Sequence, residues 1–204
     1  MPTTISKDNL TDLVKHAMDH SYRVVGPADT DGLVLFKELA SPSDLSLDAI
    51  NPKNSIKEFF FPKTESLFSY KKLQKDVEVV NENCAIPETV IIGSRPCDAM
   101  SLERLDKLFD WDYHDSFYFK RREATCVISI ACSSCDDACF CTSLGFDPKS
   151  TEGSDILLIP CEGDVYKVET ITDKGTALME ELDSLFTEAE PGEEQVAAPE
   201  KRFD

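Results

Sequence analysis

Residues 89–110 read TVIIGSRPCDAMSLERLDKLFD. Thr89–Gly93 is a short β-branched and apolar run bounded by Pro87 and Gly93, the pattern of a buried strand. A helix is predicted from Pro96 to Phe109. Pro96 suits the first turn, Asp98 suits the positive end of the helix dipole, and Leu102, Leu105, Leu108 and Phe109 supply an apolar face. A second apolar run, Cys126–Ala131, is again buried on both faces by composition. Strand, helix and strand in this order predict a parallel βαβ unit with a right-handed crossover. The fold class expected is α/β, a mixed sheet around this unit with flanking helices and α+β character at the N-terminus.

Outward from the unit, residues 6–19 predict a helix capped by Ser6, with Leu10, Leu13, Val14, Ala17 and Met18 on one stripe. Tyr22–Val25 and Leu33–Leu39 predict a hairpin joined by GPADTDG, and residues 40–56 predict loop. Phe59, Phe60 and Phe61 predict core packing or, as the sharper alternative, a docking surface. The segment WDYHDSFYFKRRE predicts an irregular crossing to the second strand. Asp155–Pro160 predicts another buried strand, and Val165–Ile171 an edge strand. Thr172 or Asp173 caps a last helix bearing Leu178, Leu182, Leu185 and Phe186. Residues 1–187 are therefore expected to form one domain. Residues 188–204, acidic and without periodicity, are expected to be a linker or a disordered tail.

The cysteines carry the chemistry. Cys126–Cys141, CVISIACSSCDDACFC, holds five of the chain's eight cysteines. Cys97 follows the carboxyl end of one parallel strand and Cys132 that of the other, and in open α/β sheets that edge is where ligands bind. Cys97 also opens a helix, where exposed N–H groups are expected to lower a thiol's pKa, and Arg95 adds positive charge. Cys97, Cys132, Cys135, Cys139 and Cys141 are one more than the four thiolates a cubane cluster needs. Their spacing is not the ferredoxin run of cysteines. Structural zinc held by four thiolates and a redox dithiol at Cys132 and Cys135 stay open beside an iron–sulfur cluster. Cys84, Cys126 and Cys161 are expected to be ordinary buried cysteines. His16 and His20 stand a helical turn apart with no third ligand in view.

Composition narrows the classes. Apolar residues make up 41% of the 204-residue chain, enough for a real core, and no run of about 18 apolar residues is present. The formal charge of −18 argues against nucleic acid or an anionic membrane as partner. The N-terminus lacks the basic and apolar segments of a secretory signal, so a cytoplasmic protein with reduced thiols is expected. Lys120, Arg121 and Arg122 form the one dense basic run, and are expected either to dock a partner, to offset cluster charge, or to be a plain solvated turn.

The segments IIGSRPCDAMSLERLDKLF, FKRRE and ACSSCDDACFCTSLG resemble the iron–sulfur beta subunits of sulfhydrogenases and related NiFe hydrogenases, a family that includes one of the subunits of anaerobic sulfite reductase. The resemblance lies in the R-x-C-D segment at Arg95–Asp98, the basic segment at Lys120–Glu123, and C-x6-C-F-C-x-S-x-G from Cys132 to Gly145, and covers roughly residues 89–180. It implies a [4Fe–4S] cluster on Cys97, Cys132, Cys139 and Cys141, with Cys135 extra. It implies an electron-transfer subunit without bond chemistry of its own. Electrons would pass between a flavoprotein that oxidises a nicotinamide and a ferredoxin-like or hydrogenase-type iron–sulfur subunit. Such subunits usually continue into a ferredoxin-like domain, whereas this sequence stops at Asp204. A zinc-bound adaptor is the alternative from another class. A nucleotide- or flavin-binding domain is disfavoured because TVIIGSRP lacks a G-x-G-x-x-G fingerprint.

Overall fold

A computed structural model describes residues 3–47, 49–73, 76–80 and 86–197. Cys84 and residues 198–204 lie outside them. The fold is α/β. In chain order the elements are β1 (Thr3–Ser6), α1 (Lys7–Asp19), β2 (Arg23–Thr30), β3 (Leu33–Glu38), β4 (Ser69–Leu73), β5 (Asp76–Val80), β6 (Thr89–Ser94), α2 (Pro96–Phe109), α3 (Ser116–Glu123), β7 (Thr125–Ile130), β8 (Ile156–Cys161), β9 (Val165–Thr170), α4 (Asp173–Glu181) and β10 (Thr187–Glu188).

Eight strands form one sheet in the order β10-β1-β9-β8-β7-β6-β2-β3. β2, β6, β7 and β8 are parallel, and the expected βαβ strands β6 and β7 are direct neighbours. Every residue of β6 and β7 is buried, because helices cover both faces. Val90, Ile92 and Ile128 point towards α1 and α4, which contribute Leu10, Leu13, Val14 and Leu178, joined by Leu182 at the end of α4. Ile91 and Val127 point to the other side, against Ala99, Leu102 and Tyr118 of α2 and α3 and against Phe60. Among the described residues no helix is long and apolar enough to cross a membrane.

The helix caps follow local chemistry. Ser6 accepts from the Asn9 N–H at the start of α1, and Thr172 from the Gly175 N–H at the start of α4. α2 begins at Pro96 as expected, but Leu108 is exposed; Leu102 is buried, and Leu105 and Phe109 pack at the margin of the core.

Three expectations are corrected, and a fourth, the core packing of the phenylalanines, is met in part. Gly26–Thr30 is not turn but strand, and the reversal is made by Asp31 and Gly32, both in the left-handed region. WDYHDSFYFKRRE contains α3, capped by Asp115, whose carboxylate accepts from the Phe117 and Tyr118 N–H groups. Only Tyr118 of that helix is fully buried, so it has no apolar stripe to read. β9 is not an edge strand: β1 pairs with it on its outer side, an association between residues 3–6 and 165–168 that no local pattern encodes. Of the three phenylalanines, Phe60 is fully buried, Phe59 packs beside it, and Phe61 is exposed.

Candidate metal centre

Because β6 and β7 run parallel, Cys97 and Cys132 emerge on the same edge of the sheet. Where β6 ends, Gly93 takes φ +84° at a register shift against β7. A Cβ there would stand 3.0 Å from both the Pro27 ring and the Leu47 side chain, so the turn requires glycine. α2 then starts, with the Asp98 and Ala99 N–H groups donating to the Arg95 carbonyl at 2.9 Å, and Cys97 sits in its first turn.

Cys132 follows β7 and is fixed through its backbone. Its N–H donates to the Pro148 carbonyl at 3.1 Å, and its carbonyl accepts from the Ala197 N–H at 2.7 Å. The Cys139 N–H donates to the Asp136 carbonyl at 3.2 Å. Cys141 opens a single 3₁₀ turn closed by Gly145 at φ +81°. Cys139 and Cys141 thus sit on a folded turn rather than on an extended segment. All five thiols of the expected set, Cys97, Cys132, Cys135, Cys139 and Cys141, line one cavity of about 500 Å³. Cys97 and Cys135 are open to it, while Cys132, Cys139 and Cys141 are half-buried.

The thiols act on one another. Burial pushes the Cys132 thiol up to about 11; Arg95 opposes this, and the nearby Cys97, Cys141 and Cys139 add to it. Burial also raises Cys97, followed by Asp98, Cys141 and Cys139, while its own backbone N–H lowers it. The expected lowering of Cys97 at the helix start is therefore reversed: the N–H contribution is present, but crowding and desolvation outweigh it. A cation placed among these sulfurs would remove that penalty, since thiolates are the metal-binding form. Among the described residues no three His, Cys, Asp or Glu side chains meet at one point that would hold a single ion. This includes His16 and His20, whose rings stack at 6.4 Å.

The far wall of the cavity is the loop 49–57, in a stretch whose composition reads only as connection. Arg95 donates to the Ile50 carbonyl at 2.8 Å and to the Ala49 carbonyl. Asp98 accepts from the Ile56 N–H at 2.9 Å, from Lys57 Nζ at 3.4 Å and from the Ser55 hydroxyl. The two residues that flank Cys97 in R-x-C-D therefore both clamp this loop. Asn51 reaches Asp136 and the Cys139 sulfur. The Asp136 carboxyl is held below its ordinary value, first by the Asn51 amide and then by the Ala138 N–H. The only sequence signal for this wall is the Asn-Pro pair at 51–52, a turn signature that says nothing of a ligand.

The basic run lies elsewhere. Lys120, Arg121 and Arg122 belong to α3, at the amino end of β7, whereas Cys132 follows its carboxyl end. At about 3.3 Å per residue the intervening strand spans roughly 20 Å. These residues thus lie away from the thiols, whereas Arg95 acts on Cys132. Arg121 pairs with Glu65, and Arg122 pairs with Asp106 at 3.4 Å and lies over the Phe60 ring at 5.7 Å. Lys120 is exposed. Cys126 and Cys161 are buried, as expected.

No protein-family model matches the chain, and no solved structure matches it. Sulfhydrogenase 2 subunit beta of Pyrococcus furiosus is 33% identical over 136 residues, which is 67% of this chain and 39% of that protein. Over that stretch the chain is similar to a sulfhydrogenase beta subunit. It spans about two fifths of the length of that relative.

Proposed function

We propose that this hydrogenase-beta-like chain is an electron-transfer subunit binding one [4Fe–4S] cluster through Cys97, Cys132, Cys139 and Cys141. The observation that carries the reading is the convergence of these thiols on one cavity at the carboxyl edge of parallel strands. An all-sulfur donor set suits soft metals and iron–sulfur clusters. A single zinc would ask four sulfurs to stand about 3.8 Å apart around one point, from Zn–S bonds of ~2.3 Å. Thiols ringing a cavity suit a body with one thiolate per corner iron. Cys135 lines the same cavity and is the reserve thiol.

When bound, such a cluster would supply a one-electron carrier. The chain's own residues hold it, exclude water with the 49–57 wall, and present hydrogen-bond donors and the Arg95 charge to its sulfurs. Electrons would pass between a flavoprotein that oxidises a nicotinamide and another iron–sulfur or catalytic subunit, in a hydrogenase- or sulfite-reductase-like complex in the cytoplasm. Exposed Lys120 is a candidate docking contact, while Arg121 and Arg122 brace α3.

The test is iron, acid-labile sulfide and zinc per chain after anaerobic purification, alongside Cys132→Ser. About four irons and four sulfides, lost in the variant, are expected. One zinc without sulfide would replace the relay by a structural adaptor.

A further inference from the structure

We infer that Asn51 is a positioning residue for the cluster, donating a side-chain hydrogen bond to the sulfur of Cys139 and so raising the reduction potential; this rests on the reading proposed above. The Asn51 Nδ2 lies 2.7 Å from Asp136 Oδ2 and 3.5 Å from Cys139 Sγ. Both neighbours are acceptors once Cys139 is a thiolate, so only the NH₂ end of the amide suits this place. Its two hydrogens serve one acceptor each. Asp136 is itself fixed: its Oδ1 accepts from the Ala138 N–H at 2.9 Å, and its own N–H stands 3.4 Å from the same sulfur. Cys139 therefore has two N–H donors aimed at it, one from backbone and one from a residue 88 positions away in the chain.

The amide does not depend on a free loop. Arg95 grips the loop at Ala49 and Ile50, on the near side of Asn51, and Asp98 grips it at Ser55 and Ile56, on the far side. Asn51 is thus preorganised relative to Cys97, which lies between its two clamps. Reduction adds a negative charge to a cluster and its sulfurs. A donor aimed at a sulfur stabilises the more negative state more, so removing it makes reduction harder.

The experiment is an anaerobic redox titration of the intact chain, followed by electron paramagnetic resonance, on wild type, Asn51→Leu and Asn51→Asp. Leu keeps the approximate size and loses the N–H groups. Asp keeps the shape, offers no donor, adds negative charge, and guards against a Leu variant that does not fold. The expected result is unchanged iron and sulfide per chain, with the potential shifted to more negative values in Leu and further in Asp. An unchanged or raised potential in a variant that keeps its cluster overturns the inference. Loss of the cluster in both variants, with the chains folded, overturns it too and leaves Asn51 a structural support. A wild-type protein without iron and sulfide fails earlier, and sinks the reading on which the inference stands.

Discussion

Asp155 shows how one carboxylate joins three elements. It is buried between β7, β8 and α4. One oxygen accepts from the Val127 N–H at 2.8 Å, and the other from the Thr172 hydroxyl at 2.6 Å. Lys174 stands 3.5 Å away and also donates to the carbonyls of Thr125 and Arg122. Lys174 is partly solvated, so the ion pair itself is worth little. The two neutral donors matter more, because the Val127 N–H would be left buried and unsatisfied and the half-buried Thr172 hydroxyl would lose its acceptor. Asp155→Ala is therefore expected to cost about 2–5 kcal/mol, and Asp155→Asn, which keeps one acceptor, about half of that. Urea unfolding of the anaerobic protein reads both. Equal losses for the two variants would mean that charge, not hydrogen bonding, holds the corner.

At the scale of elements, residues 193–197 form a strap along the end of β8. Glu194 bridges to Cys161, and the Gln195 N–H donates to the Pro160 carbonyl at 2.7 Å. Val196 packs on Ala131, Leu157 and Ile159, and the Ala197 N–H closes on the Cys132 carbonyl. Composition alone reads this segment as acidic linker, because what places it is contact with residues 30 to 65 positions away. The same holds for β1 beside β9, and for the loop that brings Asn51 to Cys139. By contrast, β6, α2 and β7 were legible because each carries its own signal: two-sided apolar runs, Pro96 at a helix start, and an apolar helix stripe. The five thiols were legible from spacing and strand ends; the wall facing them was not, since its Asn, Ser and Pro residues match any loop.

The ion pairs of the strap should make it respond to pH. Glu194 is held below its ordinary value by Lys167 first and Lys149 second, and Lys167 is pushed up to about 12 by Glu169 and Glu194. A depressed carboxyl contributes stability above its unfolded pKa of about 4.3 and loses it as pH falls through the folded value. A raised lysine contributes below about 10.4 and loses it as pH rises through the folded value. The strap is therefore expected to hold from about pH 5 to 10 and to loosen in acid. Amide exchange at Gln195 and Ala197, corrected for intrinsic rate, should show protection lost as the pH falls below the ordinary carboxyl range. Val196→Asp should lower that protection already at neutral pH and cost about 1–2 kcal/mol. Unaltered exchange in this variant would mean that the strap is held by its backbone bonds alone.

The whole molecule carries 39 Asp and Glu against 21 Lys and Arg, a formal charge of −18. Surface pairs such as Arg23–Glu38 at 2.7 Å and Lys63–Glu58 at 3.7 Å contribute about 0–1 kcal/mol each and weaken with salt. Self-repulsion among the excess charges acts the other way, and salt relieves it, because the Debye length falls from about 30 Å at 0.01 M to about 3 Å at 1 M. With the excess this large, repulsion decides the sign. Raising sodium chloride from 0.01 M to 1 M is expected to raise the melting temperature by a few degrees, about 1 kcal/mol for a chain of this size. A falling melting temperature would mean that the ion pairs outweigh the repulsion. Docking to an electron-transfer partner with a basic surface should respond oppositely, since salt screens the attraction that steers encounter. Stability and association rate should therefore move in opposite directions over the same titration. A partner whose association speeds up with salt would have to meet this chain through apolar surface instead.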